Sequence, residues 1–187
     1  MPYLKASAGR ILVLDPDLLS PKYDYDFTHV TDDGKTYERG GHTYARPYGW
    51  KRYALNVSKY GDNIWLGGTG GGIRTEWPVS FHGTKKDSVS GIAEQGYLLS
   101  MSKREAYGRG IYSSPSIEVA ELYAKEFSYR FKKYKVVFQN RVNPDGRKVI
   151  LADRICCDRK RSDVKDDYWL QPREDYIRPY AVCIKKC

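Results

Sequence analysis

The sequence of 187 residues holds only three histidines, two methionines and four cysteines, and it has no long hydrophobic run. No stretch reaches the ~18 apolar residues that a membrane-spanning helix needs, so no membrane association is expected. The opening residues, M-P-Y-L-K-A-S-A-G-R-I-L-V-L-D, lack an apolar core of about seven residues ahead of a small-residue cleavage site and make a poor secretory signal. The cysteines stand at 156, 157, 183 and 187 with no C-x-x-C pair, which supports neither a disulfide framework nor a zinc site. Reduced thiols in an intracellular protein, cytoplasmic or nuclear, are the expected state. A link from Cys183 or Cys187 to Cys156 or Cys157 stays open, as does a secreted toxin or effector. The glycine-rich stretch at positions 67–72 has no Gly-Lys-Ser/Thr ending and opens no helix with G-x-G-x-x-G, so it reads as a flexible linker rather than a phosphate cradle.

What is present is aromatic and basic. Hydrophobic residues make up 41% of the chain, with 17 tyrosines and four tryptophans, enough apolar surface to offset the entropy of ordering. The length suits one domain spanning residues 1–187, expected to be a monomer. A net charge of +9 favours an anionic partner: DNA or RNA, an acidic protein, or an anionic dinucleotide.

Along the chain, the apolar run at 10–14 reads as a buried strand ended by Asp15-Pro16. Tyr23, Tyr25 and Phe27 alternate, a D-D-G turn follows at 32–34, and alternation resumes at Tyr37, which suggests a hairpin or a tyrosine-lined meander. Residues 51–57 read as a half-buried strand and 63–66 as a short one. Positions 88–95 form a helix with Gly96 at its C-cap. The loop that follows carries Lys103 and Arg104, with Arg109 just beyond, placed either to touch phosphates or to sit in solvent. Ser114-Pro115 starts a helix drawn to residue 132 by the stripe Ile117, Ala120, Tyr123, Ala124, Phe127 and Phe131. Residues 134–142 read as a buried strand, 143–146 as a turn, 148–151 as the return strand and 153–167 as a charged surface loop. Residues 168–170 and 175–184 are the last strands.

The most informative stretch runs from 77 to 124. W-P-V-S-F-H-G-T is a short apolar strand that delivers His82, Gly83 and Thr84 to its tip, where a strand opens into a cleft. Y-G-R-G-I-Y ends in Tyr112, and Tyr123 follows eleven residues later on a helix, so the two rings could face each other across a flat ligand. Taken alone, His82 reads as a satisfied buried histidine and each tyrosine as packing.

Together, His82-Gly83-Thr84, Gly108-Arg109-Gly110-Ile111-Tyr112 and Tyr123, in that order, resemble the ADP-ribosyltransferase superfamily, in the branch of poly(ADP-ribose) polymerases and diphtheria-type toxins. The resemblance is carried by about a quarter of the chain, more weakly by residues 134–187, and leaves residues 1–70 uncovered. It implies an α+β split β-sandwich of two mostly antiparallel sheets with a few helices, and NAD as co-substrate. It implies that His82 hydrogen-bonds a ribose hydroxyl, that the backbone of Gly83, next to Thr84 in the same NAD-binding tip, holds the carboxamide, and that Tyr112 and Tyr123 sandwich the nicotinamide; Arg104 of the basic loop is then the candidate for the NAD phosphates. The family's acidic residue at the start of a late strand falls on Glu174 or Asp175: side-chain length favours Glu174, register favours Asp175. Gln139 is a further polar candidate with a structural reading. Ala120 stands where polymer-forming members carry a hydroxyl, which favours mono-ADP-ribosylation of a nucleic acid or protein. The alternatives are a weakly catalytic NAD- or ADP-ribose-binding module, an NAD glycohydrolase, and an RNA 2'-phosphotransferase. That last family uses further histidines after its His-Gly-Thr, and none follows His82 here.

Overall fold

The computed structural model describes residues 11–67, 74–102, 107–151 and 167–187. Eleven strands are found in it: β1 (Tyr25–Asp26), β2 (Tyr37–Arg39), β3 (His42–Tyr44), β4 (Lys51–Ala54), β5 (Val79–Thr84), β6 (Ile111–Ser113), β7 (Phe127–Tyr129), β8 (Lys132–Val142), β9 (Lys148–Ile150), β10 (Tyr168–Gln171) and β11 (Ile177–Lys186). Two short helices accompany them, α1 (Val89–Gln95) and α2 (Ile117–Glu121). Every strand pairing is antiparallel. The larger sheet runs β1-β4-β11-β8-β5, with β7 also on β8; a second sheet runs β6-β10-β9, and β2-β3 is a separate hairpin. The architecture is therefore α+β, with mostly antiparallel sheets and few helices. No helix among the described residues is long and apolar enough to cross a membrane.

Strands β8 and β11 form the spine because both of their faces are covered. On β8, Val136, Phe138 and Val142 enter one core cluster with Val182 and Ile184 of β11, while Val137 enters another with Cys183, Phe81 and Trp50. Alternation thus sorts adjacent residues into two cores, which is why the run at 136–142 reads as continuously apolar rather than striped. Arg141 is the buried cation on this spine: its guanidinium pairs with Glu76 at 2.9 Å and donates to the carbonyls of Trp77 and Leu66. It ties the chain on either side of residues 68–73 to the sheet.

Strand β5 is the outer strand next to β8, and its far edge meets the second sheet at one bridge. Phe81 N–H donates to Ser114 O at 2.7 Å and Ser114 N–H to Phe81 O at 2.9 Å. Beyond this bridge the two sheets part, and the space between them is the cleft described below.

Several segments differ from their sequence reading. Residues 11–14 are not a strand; Leu12 and Leu14 are buried from an irregular segment before Asp15, whose carboxylate caps a short 3-10 turn at Pro16–Leu18. Residues 63–66 form a 3-10 turn ended by left-handed Gly67, not a strand. The N-terminal hairpin turns at Gly40-Gly41 rather than at D-D-G, while β1 pairs with β4. β9 is no return strand for β8, since it pairs with β10.

The helix drawn from 115 to 132 stops at Glu121. Lys125 N–H is taken by Thr84 O, and Phe127 starts β7, where its ring stacks on Tyr134 at 6.0 Å. The apolar stripe is thus shared between two elements: Ile117, Ala120 and Ala124 pack on β5, and Phe131 is left fully exposed at a hairpin tip. Residues 153–166 and the linker at 68–72 lie outside the described residues, as do Cys156 and Cys157. Cys183 is a buried free thiol and Cys187 an exposed one.

Candidate functional site

His82 is delivered by period-two alternation on β5. Val79 and Phe81 turn into the core beneath α2, which puts Ser80 and His82 on the opposite face. There the imidazole meets Tyr97 edge to face, with ring centroids 5.0 Å apart. Its Nδ1 lies 2.7 Å from the carbonyl oxygen of Tyr112. A carbonyl only accepts, so Nδ1 carries the proton, and the tautomer and the ring plane are both set by β6. Tyr97 is itself held by a bond from its hydroxyl to Asn140 Oδ1 at 2.8 Å, and burial raises its phenol well above the ordinary tyrosine value.

Gly83 follows, and its identity is a packing requirement. A Cβ here would run into the carbonyl oxygen of Ala120 and come within 2.7 Å of the backbone nitrogen of Ala124, so α2 crosses the strand at backbone-to-backbone distance. Gly110 is comparable: a Cβ would strike the Leu170 side chain and lie 2.6 Å from Gln171 O. Gly108 has a left-handed φ of +114°, which a side chain rarely adopts. The two glycines before Ile111-Tyr112 are accordingly a fold requirement of the β6–β10 pair.

His82, Gly83, Tyr112 and Tyr123 line one cleft of about 180 Å³, together with Tyr168 and Ala120. Three stretches distant in sequence are brought together, as the motif order anticipates. Tyr112 hydroxyl donates to Gly108 O at 2.7 Å and accepts from Tyr107 N–H at 3.0 Å, which locks the ring at the rim. Tyr123 hydroxyl bonds Tyr168 hydroxyl at 3.0 Å, with the rings edge to face at 6.0 Å. The volume is below the ~300–1,000 Å³ of sites that enclose a drug-sized ligand, so the cleft suits one flat ring with the remainder of a larger molecule lying outside.

Thr84 is not among the cleft residues; it is buried, pairs with Val136 and gives its carbonyl to Lys125. Arg104 lies outside the described residues. Gln139 is fully buried on β8 and donates to Tyr44 hydroxyl at 2.9 Å, a structural position.

Glu174 and Asp175 are brought elsewhere. Both sit on a 3-10 turn (Glu174–Tyr176) ahead of β11, and both line a second cavity of about 360 Å³ with Lys59, Tyr60, Tyr97 and Arg178. Glu174 accepts the backbone N–H of Leu99, and Asp175 is held by Arg173 through two bonds at 2.9 and 2.7 Å, which lower its pKa. The choice between them by strand alternation does not arise, because a turn rather than a strand presents them. The strand beside Tyr112 is β10, where Leu170 pairs with it, and Tyr168 at the start of β10 closes the cleft. Among the described residues, no carboxylate lines the first cleft. The two cavities adjoin through the His82–Tyr97 contact, one ring lining each.

In the second cavity burial raises the Tyr60 phenol to about 12 and lowers Arg178, whose guanidinium lies over Tyr60, Trp65 and Trp77 at 4.5–5.3 Å. Tyr97 and Tyr168 are the site residues that sequence reasoning passed over. Tyr97 directly follows the helix-ending Gly96, and Tyr168 opens an apolar strand, but among seventeen tyrosines neither position carries a distinguishing signal. Among the described residues no group of three histidine, cysteine or carboxylate side chains could hold a metal ion. Compared with known protein families and with curated proteins, the chain matches no family model and no curated sequence.

Proposed function

We propose that this chain is an NAD-dependent mono-ADP-ribosyltransferase built on an ADP-ribosyltransferase-like split sandwich, with the nicotinamide end of NAD in the first cleft. The observation that supports it is the convergence of His82, Gly83, Tyr112 and Tyr123 on one ring-sized space, with His82 fixed by the Tyr112 carbonyl. In this reading the tyrosine rings hold the nicotinamide, the backbone at Gly83 meets its carboxamide, and His82 meets a ribose hydroxyl. The nicotinamide–ribose bond breaks with its electron pair going to the already cationic ring, which leaves as neutral nicotinamide. C1′ becomes oxocarbenium-like, an acceptor oxygen or nitrogen on a nucleic acid or protein bonds to it, and that acceptor loses its proton. The protein's part is orientation and stabilisation of the developing charge. In this reading the rest of the dinucleotide lies outside the ring-sized cleft; the second cavity, on the other side of the His82–Tyr97 contact, has Lys59 and Arg178 as its cations and Glu174 and Asp175 as its acids.

One observation favours a second reading, a module that binds NAD or ADP-ribose with little transfer or hydrolysis: the described lining of the ring-sized cleft has Tyr168 and no carboxylate. Nicotinamide release from labelled NAD, measured beside NAD binding, separates the two. Transfer predicts release that falls ~100-fold or more in His82→Ala and in Tyr112→Ala, with label appearing on added RNA, DNA or protein. NAD binding without release leaves the module, release without labelled acceptor leaves a glycohydrolase, and neither binding nor release ends both readings. Glu174→Gln beside Asp175→Asn tests whether either acid of the second cavity reaches the ribose: slowed release in one assigns it, and unchanged release in both leaves this turn outside the reaction.

A further inference from the structure

The most unusual backbone outside the two cavities is the turn between β7 and β8. Tyr129 pairs with Lys132, so Arg130 and Phe131 are the whole connection, with φ values of +47° and +62°. Two left-handed residues in a two-residue hairpin are the mark of a type I′ turn, a conformation that Asn-Gly adopts freely and Arg-Phe does not. The fold takes nothing back for this strain, because Phe131 is fully exposed and belongs to no core cluster. A strained turn that holds an aromatic ring in solvent points outward, to a binding partner.

The surroundings say what kind of partner. Arg130, Lys132 and Lys133 flank the ring, and Lys186 of β11 lies across β8 in register with Tyr134. Lys133 pairs with Glu126 at 3.3 Å; among the described residues Arg130, Lys132 and Lys186 have no carboxylate within ion-pair distance. Beneath the tip the stacked rings of Phe127 and Tyr134 stiffen the hairpin.

We propose that this tip binds single-stranded nucleic acid, with Phe131 stacked on an unpaired base and Arg130, Lys132 and Lys186 against the neighbouring phosphates. An aromatic face surrounded by cations is the common arrangement for such strands, and the ring reaches a base face only where the base has left the duplex stack. A lone phenylalanine is a weak anchor for a bilayer, since even a single acyl chain binds one only marginally. Phe131 at the tip is seven residues before Phe138, the partner of His82 on β8, which is ~24 Å at ~3.4 Å per residue. The surface is thus separate from the cleft, and the proposal does not rest on the NAD reading.

Fluorescence anisotropy of the full chain with labelled oligo-dT and oligo-U of about 15 nucleotides tests it. Binding should weaken with salt at a log–log slope of about −2, from ~0.7 for each of three cations. Phe131→Ala should weaken it ~10-fold, the loss of one stacked base. The double variant Arg130→Asn/Phe131→Gly should weaken it at least as much while melting no lower than the unsubstituted chain, so that lost binding cannot be laid to misfolding. An unchanged affinity in Phe131→Ala overturns the proposal, as does duplex bound as tightly as single strand. Co-sedimentation with phosphatidylserine vesicles that needs Phe131, beside oligonucleotide binding that does not, assigns the tip to a membrane instead.

Discussion

Two glycine-to-alanine changes of identical chemistry should have opposite effects on this protein, and the difference can be worked from the backbone alone. At Gly83 the added methyl group meets the Ala120 carbonyl oxygen and, at 2.7 Å, the Ala124 nitrogen. Both are backbone atoms, so no side chain can rotate away, and relief requires α2 to move off β5. That movement unpacks Ile117 and Ala120, each nearly fully buried, from Phe81 and Val137. Overpacking a core by one methyl typically costs ~1–3 kcal/mol, and an immovable neighbour places this site at the upper end, about 3 kcal/mol or more. At ~2–4 °C per kcal/mol for a chain of this length, the melting temperature should fall by roughly 6–12 °C. Gly91 lies exposed on α1, with no atom within 4 Å of its added methyl. There alanine lowers the entropy of the unfolded chain and should stabilise by ~0.5–1 kcal/mol. Thermal melting and urea titration of both variants give the comparison. A Gly83→Ala variant within ~0.5 kcal/mol of the parent, the usual range of a neutral surface change, would refute the close crossing of α2 over β5. If NAD occupies the cleft, the same variant should also lose affinity, because α2 leads directly into Tyr123.

Glu76→Ala should destabilise by about 3 kcal/mol, since it leaves the Arg141 guanidinium, 6% exposed, without its carboxylate; urea midpoints check this, and a change under ~1 kcal/mol, the scale of a surface pair, would mean the pair is solvated. Arg130→Asn/Phe131→Gly should raise stability by ~1–2 kcal/mol as the left-handed penalty of the two residues is relieved, and a lowered melting temperature would mean that Phe131 packs on the fold. Cys183 should resist alkylation in the native protein, since burial pushes its thiol up to about 12 while Cys187 is exposed; peptide mapping after brief iodoacetamide treatment should find label on Cys187 alone of these two.

The amino-acid pattern was enough to place strands at the apolar run ending in His82-Gly83-Thr84 and over 134–142, 168–170 and 175–184, within a few residues of those observed, because each is a short apolar or alternating run bounded by turn residues, and such signals are local. The family resemblance, rather than the pattern alone, singled out His82, Gly83, Tyr112 and Tyr123, which the fold brings to one cleft. Pairing was not legible. Whether β9 joins β8 or β10, and whether β10 or β11 lies beside Tyr112, depends on contacts between residues tens of positions apart, and nothing local encodes them. That undetermined choice is what carried Glu174 and Asp175 to the second cavity: β11 is held by β8 in the larger sheet, while β10 takes the place beside Tyr112 and brings Tyr168 with it. The stripe from Ile117 to Phe131 shows the same limit from another side. Its helical spacing is real, but hydrogen bonds from β5 and β8 claim the backbone after Ala124. Local sequence therefore nominated part of the candidate cleft, and only the tertiary pairing of strands, a competition among distant backbone partners, decided which residues share it, adding Tyr168 and removing Glu174 and Asp175.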